Sequence, residues 1–160
     1  MSDKVTRAAI AEARVFESWQ AFQEALQHAI GPLTDEQMTR QLVPGLRSPG
    51  EIAEHIVYGR ALWLRHALGE GAADTAELEP FLSWDEPDDP PHTAAEVLHG
   101  LDLTWRLITS TLTRRSATDD ISDDEVSQLR IIWGLIDHDL PHGGELSLLL
   151  GAYGLPGVEL

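Results

Sequence analysis

Residues 48–66 read SPGEIAEHIVYGRALWLRH. Serine is a good helix N-cap and proline suits the first helical position, so a helix is expected to open at Ser48-Pro49. Ile52, His55, Ile56, Gly59, Leu62, Trp63 and His66 then recur at steps of three and four, which is the stripe of one helix face. The pattern ends at Gly69 and Gly71. One side chain interrupts the apolar character of the stripe. His55 lies between Ile52 and Gly59, where a buried polar ring needs a partner.

The same period recurs on both sides of this helix. Upstream, Val5, Ala8, Ala11, Val15, Trp19, Phe22, Leu26 and Ile30 form an amphipathic stripe that Phe16 widens and Gly31-Pro32 stops. Thr34 to Leu42 reads as one or two further turns before Pro44-Gly45. Downstream, Ala72 to His92 is the longest irregular stretch, and the prolines and acids of DEPDDPP exclude a regular element through that part. Phe81 and Trp84 are expected to pin this connection to the core.

Thr93-Ala-Ala-Glu96 then reads as a capping box, opening a helix whose core face is Val97, Leu98, Leu101, Trp105, Ile108 and Leu112. Ser122-Asp-Asp-Glu125 reads as a second box. It opens a helix through Val126, Leu129, Ile132, Leu135, His138, His142, Leu146 and Leu149, ending near Gly151 or Gly154. No strand pattern competes. Four long amphipathic helices predict an all-α fold, a four-helix bundle with a long loop between its second and third helices, as a single domain over residues 1–160.

Composition bounds the function. The chain has 160 residues, 42% hydrophobic and 24% charged, as in an ordinary globular protein. No apolar run approaches the ~20 residues needed to span a bilayer. The N-terminal stretch lacks a signal-peptide core because Glu12, Arg14 and Glu17 break it, so a cytoplasmic location is expected. There is no cysteine, which excludes disulfides and thiolate chemistry from the chain itself. Acidic residues number 27 against 11 basic, a formal net charge of −16. Such a chain is repelled by nucleic acid and by anionic membrane surfaces, so neither is an expected partner. An anionic ligand would need a local arginine, and Arg60 and Arg65 are the nearest to His55 along the second helix.

Of seven histidines, His28, His92 and His99 read as helix-end, loop and boundary residues. His66 falls on the face of His55 but about three turns away, too far to share a ligand. His138 and His142 sit four apart and project side by side, so both imidazoles can reach one ion at ~2.0–2.1 Å. In a bundle, His55 can face them from another helix, and three histidines would leave coordination positions open for water or substrate. On spacing alone a hydrogen-bonded trio of core histidines remains equally open.

The segment SPGEIAEH at 48–55, with WGLIDHDLPHGGEL at 133–146 and GAYGLP at 151–156, resembles the DinB/YfiT-like superfamily. The resemblance implies a DinB-like four-helix bundle whose divalent metal is held by one histidine of the second helix and an HxxxH pair of the last. His55, His138 and His142 match those positions in order. The sequence departs from the family pattern at Pro141, which removes a backbone hydrogen bond inside the HxxxH and is expected to kink the helix, and at Glu145, where glutamine is commoner. Gly143 and Gly144 are expected to accommodate the proline.

The resemblance further implies an enzyme using a low-molecular-weight thiol as cosubstrate, of thiol transferase or isomerase type, acting on a small molecule. Zinc or nickel suits the three-histidine set, with iron and manganese also open. Metal-dependent hydrolysis and a non-catalytic, stress-related metal-binding bundle are the alternatives. Glu145 and Asp139 are the candidate catalytic carboxylates, as general base or as carboxylates that orient the histidines, with Asp137 a weaker one. A homodimer is the expected assembly.

Overall fold

In the computed structural model the chain is described over residues 2–68, 73–115 and 123–159, with side chains over 14–68, 75–111 and 130–159. Among the described residues five α-helices follow one another: α1 (Ser2–Ile30), α2 (Asp35–Thr39), α3 (Pro49–Leu68), α4 (Ala94–Arg115) and α5 (Asp123–Ala152). A 3-10 helix, Ala73–Phe81, lies between α3 and α4. There is no strand among the described residues. The long helices α1, α3, α4 and α5 make the four-helix bundle, and none is long and apolar enough to cross a membrane.

Local chemistry sets the helix starts. Ser48 Oγ accepts from the Glu51 backbone N–H at 3.2 Å while the Glu51 carboxylate accepts from the Ser48 N–H, closing a capping box at the head of α3. Thr93 and Glu96 do the same for α4. Thr34 and Gln37 close a third box on the short α2. The box expected at Ser122–Glu125 lies outside the described residues, as do the side chains of Val5, Ala8, Ala11, Leu112, Val126 and Leu129.

α3 is the central element, packing against α2, the 3-10 segment, α4 and α5. Its small residues explain this. Ala53, Gly59 and Ala61 let neighbours approach closely, while Ile52, Ile56, Val57 and Leu64 fill the core. The buried face is therefore turned from the expected stripe. Leu62, Trp63 and His66 are exposed, and Val57, Arg60, Ala61 and Leu64 take the interior. Val15 of α1 is likewise exposed, whereas Trp19, Phe22, Leu26 and Ile30 are buried as expected.

The connection between α3 and α4 differs most from its reading. Phe81 and Trp84 are buried, as expected, but Ala73–Phe81 is helical. At three residues per turn, Thr75, Leu78 and Phe81 fall on one side, and all three are buried. A signal of two large apolar residues in nine, Leu78 and Phe81, is too sparse to reveal this period. Its effect is to bring the following turn, with Asp85, onto α3.

Candidate metal centre

α3 and α5 run side by side in opposite directions around the histidines. The His55 ring of α3 lies 4.6 Å from that of His142, centroid to centroid, and 5.2 Å from that of His138. His138 and His142 are 4.9 Å apart. One turn along α3 from His55, Gly59 meets His138. A Cβ placed on Gly59 would stand 2.2 Å from His138 Cε1, so only glycine leaves room for this ring. The next turn reverses the relation, with Trp63 laid across Gly134.

The three histidines each offer a ring nitrogen, and these atoms lie within 4.8 Å of one another. Two nitrogens on a tetrahedral zinc stand about 3.3 Å apart, given Zn–N bonds of ~2.0–2.1 Å, so modest ring movements close the set on an ion. α5 continues as a helix through Pro141, and the HxxxH rings converge despite it.

Each imidazole has a carboxylate at Nδ1. His55 Nδ1 is 2.9 Å from Asp85 Oδ1, and His142 Nδ1 is 3.2 Å from Glu145 Oε2. An ionised carboxylate can only accept, so these rings carry the proton on Nδ1 and keep the Nε2 lone pair for a metal. His138 Nδ1 stands 3.5 Å from Asp139 Oδ1, and both atoms are buried without another hydrogen-bond partner. Burial lowers the His55 pKa below the usual imidazole range, against the hydrogen bond to Asp85 that raises it, with the Arg47 charge adding to the lowering. A neutral ring is the form that ligates. The donor set, its tautomers and the glycine seat all fit a divalent ion.

The two candidate carboxylates differ in setting. Glu145 is 48% exposed and lines a groove of about 940 Å³ with Phe22, Leu140, Gly144 and Leu148. Asp139 is fully buried. Its Oδ2 accepts from Arg60 Nε at 2.9 Å and from Trp19 Nε1 at 3.1 Å, with Arg60 Nη2 at 2.8 Å. Burial alone would raise the Asp139 pKa. The Arg60 charge, the neighbouring His138 ring and the hydrogen bonds from Arg60 and Trp19 overcome this and hold it below the usual carboxylate value.

Several participants were not legible as such. Arg60, read as a possible contact for a substrate carboxylate, is instead a buried ion-pair partner; its one signal was a lone charge in the run IVYGRALWL. Arg65 lies 3.9 Å from Glu79. Asp85 is one of four acids in DEPDDPP, and nothing in the sequence distinguishes it. It also lines a cavity of about 270 Å³ with Arg47, Glu54, Trp84 and His92. His28 and His99 are exposed, and His92 stacks on Trp84 at 4.1 Å, apart from the metal set.

Comparison with protein families matches residues 18–146 to the DinB superfamily, which is the resemblance the motifs carry. No curated protein and no solved structure matches the chain. The match covers most of the chain, all three histidines included, and the chain belongs to the DinB superfamily.

Proposed function

We propose that this chain is a divalent-metal-dependent enzyme that uses a low-molecular-weight thiol, a transferase or isomerase, with zinc or nickel held by His55, His138 and His142. The observation that carries the reading is the convergence of three imidazole nitrogens within 4.8 Å, each ring backed by a carboxylate. Three protein ligands are the pattern of catalytic rather than structural zinc, because a position stays open for an outside ligand. The histidine side chains are each partly exposed, which suits access by a small molecule.

When bound, the ion supplies charge that lowers the pKa of a coordinated thiol or water. The chain's own residues do the rest. Asp85 and Glu145 hold His55 and His142 with Nε2 inward. Glu145, half exposed beside its groove, is the residue we assign to proton exchange with the attacking thiol. Asp139, closed off from solvent and paired with Arg60, is assigned to orienting His138 rather than to moving a proton. With no cysteine in the chain, the sulfur arrives with the cosubstrate. The same position of Glu145 would serve hydrolysis, taking the proton of an attacking water, which makes a hydrolase the second reading. The proposed setting is a cytoplasmic homodimer acting on a small molecule, not on nucleic acid, which the net charge of −16 repels.

The test is elemental mass spectrometry on tag-free protein beside a His142→Ala variant, then assays for conjugation of thiols to electrophiles. Near-stoichiometric metal, lost in the variant, with saturable thiol conjugation is the expected result. Native protein that stays metal-free after incubation with zinc and nickel would end the metalloenzyme reading. Metal without turnover of any thiol or ester would point to the non-catalytic bundle.

A further inference from the structure

Arg60 and Asp139 are both 0% exposed. Taking a guanidinium and a carboxylate out of water is expensive, and an apolar pair of similar volume often serves stability equally well or better. Stability alone therefore gives no reason for the pair. The division of contacts on Asp139 gives one. Oδ2 receives Arg60 and Trp19, and Arg60 is held in turn by Nη1 donating to Gln23 Oε1 at 2.6 Å. Oδ1 receives no hydrogen bond, although it is buried, and it stands 3.5 Å from the equally buried and unpartnered His138 Nδ1.

We propose that Arg60 is a positioning residue for the metal centre. With Trp19 and Gln23 it anchors Asp139 by one oxygen, so that the other is reserved for the His138 Nδ1–H and the ring presents Nε2 to His55 and His142. This inference rests on the metal reading above and adds to it a line of support running from α1 through the buried pair to one ligand. Closing Oδ1 and Nδ1 from 3.5 Å to an ordinary ~2.9 Å hydrogen bond needs a ring shift of the same order as that which draws the nitrogens onto an ion. Gly59, with no side chain in the way, leaves the ring its place against α3.

The experiment replaces the pair together, Arg60→Met with Asp139→Leu, and reads two quantities. Thermal unfolding in chelator reports the fold, and competition with a chromophoric chelator reports zinc affinity. The expected result is a midpoint at or above that of the native protein with zinc affinity lower by about 10–100-fold, the usual effect of losing a partner behind a ligand. A folded double variant that binds zinc within about threefold of native, well short of that effect, overturns the proposal. Should the double variant fail to fold, ¹⁵N shifts of the His138 ring in the metal-free native protein decide instead. A proton on Nδ1 supports the proposal and a proton on Nε2 overturns it. Failure of the native protein to bind zinc or nickel is a separate outcome that sinks the metal reading, and the His138 tautomer then decides the orienting role by itself.

Discussion

Gly59 keeps a side-chain-free position against the His138 ring, one of the three imidazoles that could hold an ion. Replacing an interior helical glycine by alanine ordinarily favours a helix by about 0.8–1.0 kcal/mol. Here the new methyl would stand 2.2 Å from His138 Cε1, so the ring must leave its seat. Gly59→Ala is expected to weaken zinc binding more than tenfold, the scale of a lost partner around a ligand, while the fold persists; calorimetric titration checks the first and circular dichroism the second. Asp85→Ala removes the acceptor behind His55, 2.9 Å from its Nδ1. A 10–100-fold loss of metal affinity is the expected outcome, and unchanged affinity would show that the connection after the 3-10 helix plays no part in the site. The histidines were readable because imidazoles on apolar helical stripes are conspicuous. Their carboxylates were less so, since Asp139 and Glu145 follow within one turn of a ligand whereas Asp85 comes from a distant acidic run whose members look alike.

The helices were readable for a similar reason: their starts are written in adjacent residues. Thr93 and Glu96 meet as a capping box, and the hydrogen bonds from Thr93 hold the Glu96 carboxyl below its usual pKa. A carboxyl whose folded pKa is depressed contributes stability that is present above the unfolded value, about 4.3, and lost as the pH falls through the lower folded one. Protection of the first-turn amides of α4, relative to their intrinsic exchange rates, should therefore fall below about pH 4, and Glu96→Gln should flatten that dependence. An exchange profile identical in the two proteins would refute the assignment. The 3-10 segment shows the converse. Leu78 is fully buried, yet its helix could not be seen from a nine-residue stretch with a proline inside. Leu78→Ala should cost about 2–5 kcal/mol in denaturant unfolding, the penalty of an unfilled core position. The exposed positions of α3 were misassigned because a central helix buries more than one stripe, so its phase cannot be fixed from apolar spacing alone.

For the molecule as a whole, the net charge of −16 repels itself. Raising salt from about 10 to 150 mM shortens the Debye length from roughly 30 to 8 Å, and the thermal midpoint of the metal-free protein should rise with it. Saturating zinc should raise the midpoint further, since an ion at a hundred times its Kd adds about 2.7 kcal/mol. A midpoint insensitive to both zinc and chelator would count against an ion at the histidine trio. Fold class followed from helical periodicity across the whole chain, whereas the cavity beside Asp85 is built from residues distant in sequence, such as Arg47, Trp84 and His92, which no local pattern brings together.

The opposed course of α3 and α5 has one more consequence. His55 and His138 stand about half the chain apart in sequence, yet their rings lie 5.2 Å apart in space. An ion shared by them would act as a reversible cross-link, closing a loop that contains the 3-10 segment and all of α4. Cross-links over long loops restrict the unfolded ensemble most. A chain that has no cysteine to make a disulfide would thus gain a fastening that a chelator can undo, and protease cuts within the loop should appear first when the ion is withdrawn.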